Sequence, residues 1–203
     1  MKKLLVTIIC ILGITKAVVG QFTQSMSLSG PAQIPYGPTT FTVSVSLTFN
    51  YDSWGLDYWL QVDNALAPFL SLTSVQYFTF PSPLQTTPNP APFDSTNGSD
   101  AGNMAERRDL GATVNDPSMK MVAPGTYHIT DLTFVLAPGN PGGSHTLRIT
   151  TLGSRISEVY DTNFDVHDLP AASFTFGIVP EPSTMALLGF AAALISLVIR
   201  RLK

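Results

Sequence analysis

The stretch Phe41-Thr42-Val43-Ser44-Val45-Ser46-Leu47-Thr48-Phe49 decides the fold class of this chain. Apolar and polar side chains alternate without a break, and successive side chains of a β-strand point to opposite faces of its sheet. The stretch therefore predicts a strand with one face in a hydrophobic core and the other in solvent. No segment between the predicted strands sustains the 3.6-residue period of an amphipathic helix.

Other runs of the middle region have the composition of strands, because β-branched and aromatic residues dominate them and turn-forming residues bound them. These runs are Leu56–Val62, Leu70–Phe80, Thr126–Leu136, Thr146–Thr151 and Ala172–Val179. Together they predict an all-β fold, a single antiparallel β-sandwich of the jelly-roll kind, across residues 21–178. The proline-rich stretch Pro81–Asn103 predicts a long loop or a flap across one sheet.

Charge excludes a nucleic acid partner, and cysteine content excludes disulfides and thiolate metal sites. Between Gln21 and Pro180 the chain has 5 basic and 13 acidic residues, a formal net charge of −8. Binding to a phosphate backbone needs the opposite sign, so no nucleic acid partner is expected. Cys10 is the single cysteine and lies in a segment predicted to be removed, so the mature chain can form no disulfide and no thiolate metal site.

The first twenty residues have the order of a secretory signal peptide. Lys2 and Lys3 precede an apolar stretch at 4–14, and small or apolar residues lead to Gln21. The apolar stretch is shorter than the ~20 residues of a stable spanning helix. We expect export by the Sec machinery and cleavage after Gly20, with Ala17 as the alternative site and a retained anchor as the alternative interpretation.

The other end of the chain has three parts in fixed order. Pro180, Glu181 and Pro182 come first, an uncharged apolar stretch at 183–199 follows, and a basic cluster closes the segment. The cluster consists of Arg200, Arg201 and Lys203. Residues 183–199 are predicted to form a transmembrane helix, and the positive-inside rule places the basic cluster in the cytoplasm and the β-rich region outside.

This tail, residues 179–203, resembles the PEP-CTERM sorting signal. The resemblance implies recognition by an exosortase, with removal of the helix during sorting. It also implies an exported protein of a Gram-negative bacterium that makes exopolysaccharide: an inner-membrane precursor first, then a protein of the outer envelope, cell surface or extracellular matrix. A plain single-span anchor that is never cut is the alternative, because insertion follows the same physics without processing.

The middle region resembles cohesin-like and carbohydrate-binding-like β-sandwiches of bacterial surface proteins. The resemblance rests on the strand 41–49, on Gly55–Leu60, and on Ala123–Tyr127 running into Leu132–Val135. It implies a cohesin-like sandwich as the alternative to a jelly roll, and it carries over no functional residue, since no dockerin-contact motif can be matched.

Motifs of catalysis are missing from the sequence, which has no G-x-S-x-G elbow, no H-E-x-x-H helix and no P-loop. His128, His145 and His167 fall in different predicted elements and are interpreted as ordinary surface or sheet-face histidines. We therefore expect a protein that is not an enzyme and has no cofactor, a calcium ion excepted.

Alternating oxygen-bearing side chains suggest that calcium site. Asp161, Asn163 and Asp165 have the D-x-N-x-D opening of a calcium loop, and Asp168 is a fourth candidate ligand. The EF-hand pattern fails afterwards, because Val166 stands where glycine is needed and Ala172 where the closing acid would be. A solvated acidic turn is the alternative. Asp94, Asn97 and Asp100 form a second, weaker candidate.

Trp54 and Trp59 are the candidate sugar-binding residues, since aromatic faces can stack on the apolar C–H surface of a sugar ring. If Leu56–Val62 is a strand, Tyr58 and Leu60 share one face and Trp59 the other. Plain packing in the core is the alternative for these aromatic residues. The sequence thus predicts a structural or adhesive protein of the cell surface or biofilm matrix, or else a polysaccharide-binding module that uses Trp54 or Trp59, with or without calcium.

Overall fold

The computed structural model describes residues 21–83, 93, 104–114, 120–150 and 156–180, together with positions 187, 189, 190, 192, 194 and 195. A 3-10 helix at Ala67–Phe69 follows the fourth strand. The strands of the described part are β1 (Gln24–Ser29), β2 (Gln33–Pro35), β3 (Thr39–Phe49), β4 (Gly55–Asp63), β5 (Leu70–Tyr77), β6 (Ser82–Pro83), β7 (Met104–Thr113), β8 (Gly125–Leu136), β9 (Gly143–Thr150), β10 (Glu158–Tyr160), β11 (Val166–Asp168) and β12 (Ala172–Val179).

These strands form two sheets. The smaller sheet has the order β1-β3-β8-β5, and the larger one has the order β11-β10-β4-β9-β12-β2. In the larger sheet β10 and β9 pair with one edge of β4, β7 pairs with the opposite edge, and β6 pairs with β7. The chain passes from the smaller sheet to the larger one between β1 and β2. All pairs are antiparallel except β2 with β12, which is parallel. The predicted all-β sandwich is confirmed.

The core lies between the inner faces of the two sheets. Strand β3 contributes every second residue from Phe41 to Phe49, as its alternating sequence predicts. Strand β4 contributes Leu56, Tyr58 and Leu60, each fully buried. Fully burying one such side chain stabilises the fold by about 1.5 to 3 kcal/mol before the cost of ordering it.

Strand β4 has two different neighbours along one edge. Strand β10 pairs with Gly55–Asp57, and β9 pairs with Trp59–Val62, so the two strands share this edge of β4. Buried Ser157, just before β10, links β9 to β4. Its hydroxyl donates to the Thr150 carbonyl at 2.6 Å and accepts from the Trp59 N–H at 3.0 Å.

Replacing Ser157 with alanine is expected to lower the free energy of unfolding by about 1 to 3 kcal/mol, because two hydrogen bonds are lost in a dry environment. Chemical denaturation of the variant measures the effect. Ser144→Ala, at an exposed position of β9, is the matched control and should stay within about 0.5 kcal/mol of the wild type. Equal stability of the two variants would contradict the role given to Ser157.

The predicted strands are all present, with β12 at the predicted bounds and β5 ending at Tyr77 rather than Phe80. The sequence did not predict β1, β2, β7, β10 or β11. The proline-rich stretch 81–103 begins differently from the prediction, since Ser82 and Pro83 pair with β7 as an edge strand. Proline is tolerated there because an edge strand leaves one side of its backbone unpaired. Most of the remaining stretch lies outside the described residues.

The ends of the chain are described only in part. Residues 1–20, and with them the predicted signal peptide, lie outside the described residues, as do Glu181, Pro182 and the basic cluster. The described positions between 187 and 195 are helical and fall inside the predicted span 183–199. Among the described residues, no helix has the length and apolar character that crossing a membrane requires.

Candidate functional site

The outer face of β4 carries the most distinctive arrangement of side chains in the described structure. Leu56, Tyr58 and Leu60 point into the core, so Gly55, Asp57 and Trp59 occupy the outer face. Gly55 stands directly between Thr113 of β7 and Tyr160 of β10. Strand β7 approaches this glycine closely, since an added Cβ would lie only 3.2 Å from the Thr113 Cβ atom.

Beside this glycine lies a pocket of about 180 Å3, lined by Trp54, Thr113, Tyr160 and Phe164 and named here the aromatic pocket. The Trp54 and Phe164 rings lie 5.7 Å apart between centroids and are parallel to within 4°. Trp54 packs against the edge of the core, and its Nε1–H donates to the Thr162 carbonyl at 3.3 Å. Phe164 is 67% exposed. The pocket therefore combines a fixed aromatic wall with one that projects into solvent.

Phe164 is held in an unfavourable backbone conformation. Its φ of 64° lies in the left-handed region, and no other non-glycine residue of the described part has a positive φ. A bulky side chain in this region costs about 1 to 3 kcal/mol and persists only where the surroundings impose it. Such strain is typical of residues that a fold holds in place for a function.

The segment Asp161–Asp165, named here the Asp161 turn, imposes this conformation. Oδ1 of Asp161 accepts hydrogen bonds from the N–H groups of Asn163 and Asp165 at 2.8 and 3.0 Å. Oδ2 lies 3.0 Å from Nε2 of His167. Asp161 is 3% exposed, so these bonds form away from water. One buried carboxylate therefore holds the turn that displays Phe164.

The hydrogen bonds of Asp161 set its ionisation. Burial alone would raise the pKa of the Asp161 carboxyl, but the hydrogen bonds from His167 and from the N–H groups of Asn163 and Asp165 outweigh it and hold the pKa below its usual value. Asp161 is thus a carboxylate at neutral pH. Behind it, the His167 ring packs against Phe22 at 4.3 Å and Tyr51 at 4.8 Å between centroids, which fixes its position.

A row of three acidic residues, Asp57, Glu158 and Asp168, lies beside the pocket and is named here the acidic row. They stand directly opposite one another on β4, β10 and β11. Side chains of directly opposite residues share a face, with Cβ atoms about 5 Å apart. The Tyr160 hydroxyl donates to Oε1 of Glu158 at 2.6 Å and so connects the row to the pocket.

The structure separates the two predicted sugar-binding tryptophans. Trp54 lines the aromatic pocket, whereas Trp59 is half-buried on the outer face of β4, beyond the acidic row. Trp59 follows Gly55 by four positions, which corresponds to roughly 13 Å along a strand. Sugar binding by Trp54 and Trp59 stays a prediction, and the two rings do not form one platform.

The predicted calcium ligands are also divided. Asp161 points inward to its own turn, Asn163 and Asp165 are exposed, and Asp168 belongs to the acidic row. Among the residues that the structure describes, no three His, Cys, Asp or Glu side chains come together in a way that could hold a metal ion. Calcium binding by Asp161, Asn163, Asp165 and Asp168 stays a prediction. Asp94, Asn97 and Asp100 lie outside the described residues.

Each of the three histidines lies beside an aspartate. Besides His167 with Asp161, His128 lies 2.8 Å from Asp131, and His145 lies 2.9 Å from Asp63. His145 is buried within β9, so of the two predicted positions, surface or sheet face, only the sheet face applies to it. Ser44 also donates to Asp131, at 2.7 Å, so the carboxylate stands between the hydroxyl and the imidazole. A general base would have to contact the hydroxyl itself, and this arrangement does not provide that contact.

Sequence reasoning found Trp54 but missed Gly55, Tyr160 and Phe164. Their grouping depends on the pairing of β4 with β7 and β10, which are far apart in the chain. The Asp161 turn had a signal of its own, because an aspartate often accepts hydrogen bonds from backbone N–H groups just after it. The D-x-N-x-D pattern was instead interpreted as a set of metal ligands.

Comparison with known proteins identifies the tail. Residues 179–201 match the PEP-CTERM protein-sorting motif. This match marks the chain as an exported, envelope-associated protein that is sorted by an exosortase. No curated protein matches the chain by sequence.

Solved structures identify the fold of the middle region. A cohesin module of a family 33 glycoside hydrolase from Clostridium perfringens superposes with a TM-score of 0.51 at 11% identity, covering 79% of this chain and 100% of that one. A chain of the CaDoc0917–CaCohA2 complex gives a TM-score of 0.51 at 14% identity, covering 77% and 100%. A non-cellulosomal cohesin from Archaeoglobus fulgidus gives 0.47 at 18% identity, covering 80% and 96%. The described sandwich is therefore similar in fold to cohesin modules.

Proposed function

We propose that the sandwich is a non-catalytic adhesive module of the cell surface or biofilm matrix, and that it binds extracellular polysaccharide through the aromatic pocket. The observation that supports this most is the exposed ring of Phe164, held in a strained backbone conformation beside Trp54 at the aromatic pocket. The stacking contact with Trp54 offsets only part of the cost of this backbone conformation, since such a contact contributes about 0.5 to 1.5 kcal/mol and the side chain is largely exposed. Contact with a ligand would explain why the fold keeps Phe164 in this costly conformation.

The chemistry of the pocket suits a sugar. The faces of Trp54 and Phe164 can cover the apolar C–H surface of a pyranose ring. Hydroxyl groups of Thr113 and Tyr160 lie beside these rings. They donate to the Trp54 carbonyl and to Glu158, so each can accept a hydrogen bond from a sugar hydroxyl. A shallow pocket with few polar groups accommodates one unit of a longer chain, which fits weak, repeated contacts with a matrix polymer.

Replacing Phe164 with alanine is expected to weaken binding to host exopolysaccharide at least about tenfold, since loss of a central aromatic contact typically costs about 1.4 kcal/mol or more. The fold should persist, because the ring is largely exposed. Cosedimentation with the polymer measures binding. Phe78→Ala is the matched control, since Phe78 is 46% exposed at the smaller sheet. Equal binding by wild type and Phe164→Ala would remove the pocket from the proposal.

A protein ligand is the second candidate, favoured by the similarity in fold to a chain of the CaDoc0917–CaCohA2 complex. The two candidates differ in what destroys binding to isolated envelopes. Periodate oxidation of the envelope should abolish binding to a polysaccharide, and proteinase treatment should abolish binding to a protein. A purely structural role predicts no binding in either case.

The tail, in this proposal, acts as a temporary anchor. Residues 183–199 span the inner membrane of a Gram-negative cell, and Arg200, Arg201 and Lys203 stay in the cytoplasm. Strand β12 ends at Val179, whose carbonyl accepts from the Tyr36 N–H at 2.6 Å, and Pro180 is exposed directly after it. Exosortase therefore has a rigid domain on one side of the motif Pro180, Glu181 and Pro182.

Intact mass of the protein from its host tests this processing. A mature form that lacks both the signal peptide and the segment after the motif is expected in the wild-type host. In a host without exosortase, the protein should keep its tail and fractionate with the inner membrane. An intact tail in both hosts would show that the segment is a permanent anchor.

A further inference from the structure

We propose that the N-terminal segment Gln21–Gln24, named here the N-terminal clasp, is a positioning element of the aromatic pocket. It holds strand β11 and the His167 ring, and through them it keeps the Asp161 turn in the shape that displays Phe164. Both predicted cleavage sites of the signal peptide precede the clasp, so the mature chain keeps it. The effect of the clasp on binding rests on the proposed function, whereas its effect on the turn can be measured without a ligand.

The hairpin that the clasp holds is weak by itself. Strands β10 and β11 have three residues each and flank the Asp161 turn. Strand β11 ends the order of the larger sheet, so among the described strands only β10 pairs with it. Two short strands are marginally stable unless other contacts support them. The strained conformation of Phe164 within the turn increases this need for support.

Hydrogen bonds to Asn50 fix the clasp on the smaller sheet. The Asn50 side chain accepts from the Thr23 N–H and donates to the Gln21 carbonyl, both at 2.8 Å. The Asn50 N–H donates to the Thr23 carbonyl at 3.2 Å. These three bonds continue the pairing of β1 with β3 beyond Gln24 and Phe49, so the residues before β1 have a defined position.

The clasp contacts β11 at two points. The Phe22 ring lies on the His167 ring, with 4.3 Å between centroids and 32° between planes, and meets Tyr51 edge-on at 5.0 Å. The Gln24 side chain donates from Nε2 to the Asp168 carbonyl at 2.6 Å. One contact therefore holds a side chain of β11, and the other holds its backbone.

The Phe22 ring also shields the hydrogen bond behind the turn from water. His167 stands opposite fully buried Val159, and its Nε2 lies 3.0 Å from Oδ2 of Asp161. Phe22 is 44% exposed, so it covers the imidazole on the solvent side. A hydrogen bond is electrostatically stronger in a dry environment than in water. Without the ring, the bond to Asp161 would weaken and the turn would open more often.

Hydrogen exchange without a ligand tests the effect on the turn. The Asn163 and Asp165 amides donate to Asp161 and report its opening. In Phe22→Ala we expect both amides to exchange about fivefold faster, which corresponds to about 1 kcal/mol, a typical contribution of an aromatic pair. Phe22→Tyr keeps the ring and should restore the wild-type rates.

The matched control for this measurement is Phe78→Ala. Phe78 packs on His128 at 4.7 Å between centroids, and His128 lies 2.8 Å from Asp131, so the smaller sheet has the same kind of contact. This variant should leave the exchange of the two turn amides unchanged. Equal rates in the wild type and in Phe22→Ala would overturn the proposal.

Binding tests the effect on the pocket. Phe22→Ala should weaken binding to host exopolysaccharide at least about twofold, since the turn is then less often in the binding conformation. In an Asp161→Ala background the same substitution should add no further loss, because the clasp acts through that carboxylate. Losses that add fully in the double variant would show that Phe22 acts by another route and would overturn the proposal. If the wild type itself does not bind the polymer, the proposed function fails, while the exchange rates still decide whether the clasp holds the turn.

Discussion

Replacing Gly55 with alanine is expected to lower the free energy of unfolding by about 2 to 3 kcal/mol and to abolish ligand binding. An ideal Cβ at this position would lie 2.6 Å from the Ala112 carbonyl oxygen and 3.1 Å from the Thr113 Cα atom. Both are backbone atoms of β7, so β4 and β7 would have to move apart. The same movement would displace Thr113, which lines the aromatic pocket.

Gly177→Ala is the matched control for this experiment. Gly177 also lies within a strand of the larger sheet, but the nearest atom to its added Cβ would be 3.8 Å away. Because alanine reduces the backbone freedom of the unfolded chain, this variant should be as stable as the wild type or slightly more so. Denaturant unfolding of both variants gives the comparison. A Gly55→Ala protein as stable as Gly177→Ala would show that β4 and β7 tolerate the methyl group.

Replacing Asp161 with alanine is expected to cost about 3 kcal/mol of stability, because it removes both carboxylate oxygens that accept hydrogen bonds in and behind the Asp161 turn. Two backbone N–H groups and the His167 ring lose a buried, charged partner. Without it, the strained conformation of Phe164 is no longer imposed, so polysaccharide binding should fall even at temperatures where the variant is folded. Hydrogen exchange of the Asn163 and Asp165 amides should report the loosened turn directly.

The control for Asp161 is Asp165→Ala, which removes an exposed carboxylate from the same turn and should change stability by less than about 0.5 kcal/mol. Acid denaturation gives a second comparison. Since the folded pKa of Asp161 is lowered from 3.8, its stabilisation is present above that value and is lost as the pH falls through the lower folded pKa. The Asp161→Ala protein should therefore lose less stability than the wild type over that acidic range.

Local pattern was sufficient to predict the strands that fill the core. Apolar and polar residues alternate along β3 without a break, so the burial of each of its side chains could be predicted. Strands β10 and β11 have three residues each and exist because they pair along one edge of β4 and beyond it. No local signal identifies such strands. The first strand, Gln24–Ser29, has too many serines to be recognised by its apolar content, although it does alternate.

The candidate site was less predictable than the fold, for the same physical reason. Trp54 was identified by its chemistry alone. The grouping of Gly55, Tyr160 and Phe164 can be recognised only from the pairing of β10 with β4, and these two strands are about a hundred residues apart along the chain. The direction in which Asp161 points also follows from tertiary packing, since His167 and the rings of Phe22 and Tyr51 lie behind it.

The parallel pairing of β2 with β12 has a mechanical consequence. While the tail still anchors the protein, tension on the domain would reach the sandwich at the point where β12 leads into the tail at Pro180. Strand β12 is bonded to β9 over seven residue pairs and to β2 over three. Tension along the axis of β12 would strain these bonds together in shear instead of opening them one after another. The last strand of the sandwich is therefore arranged to resist tension that enters the domain from the tail.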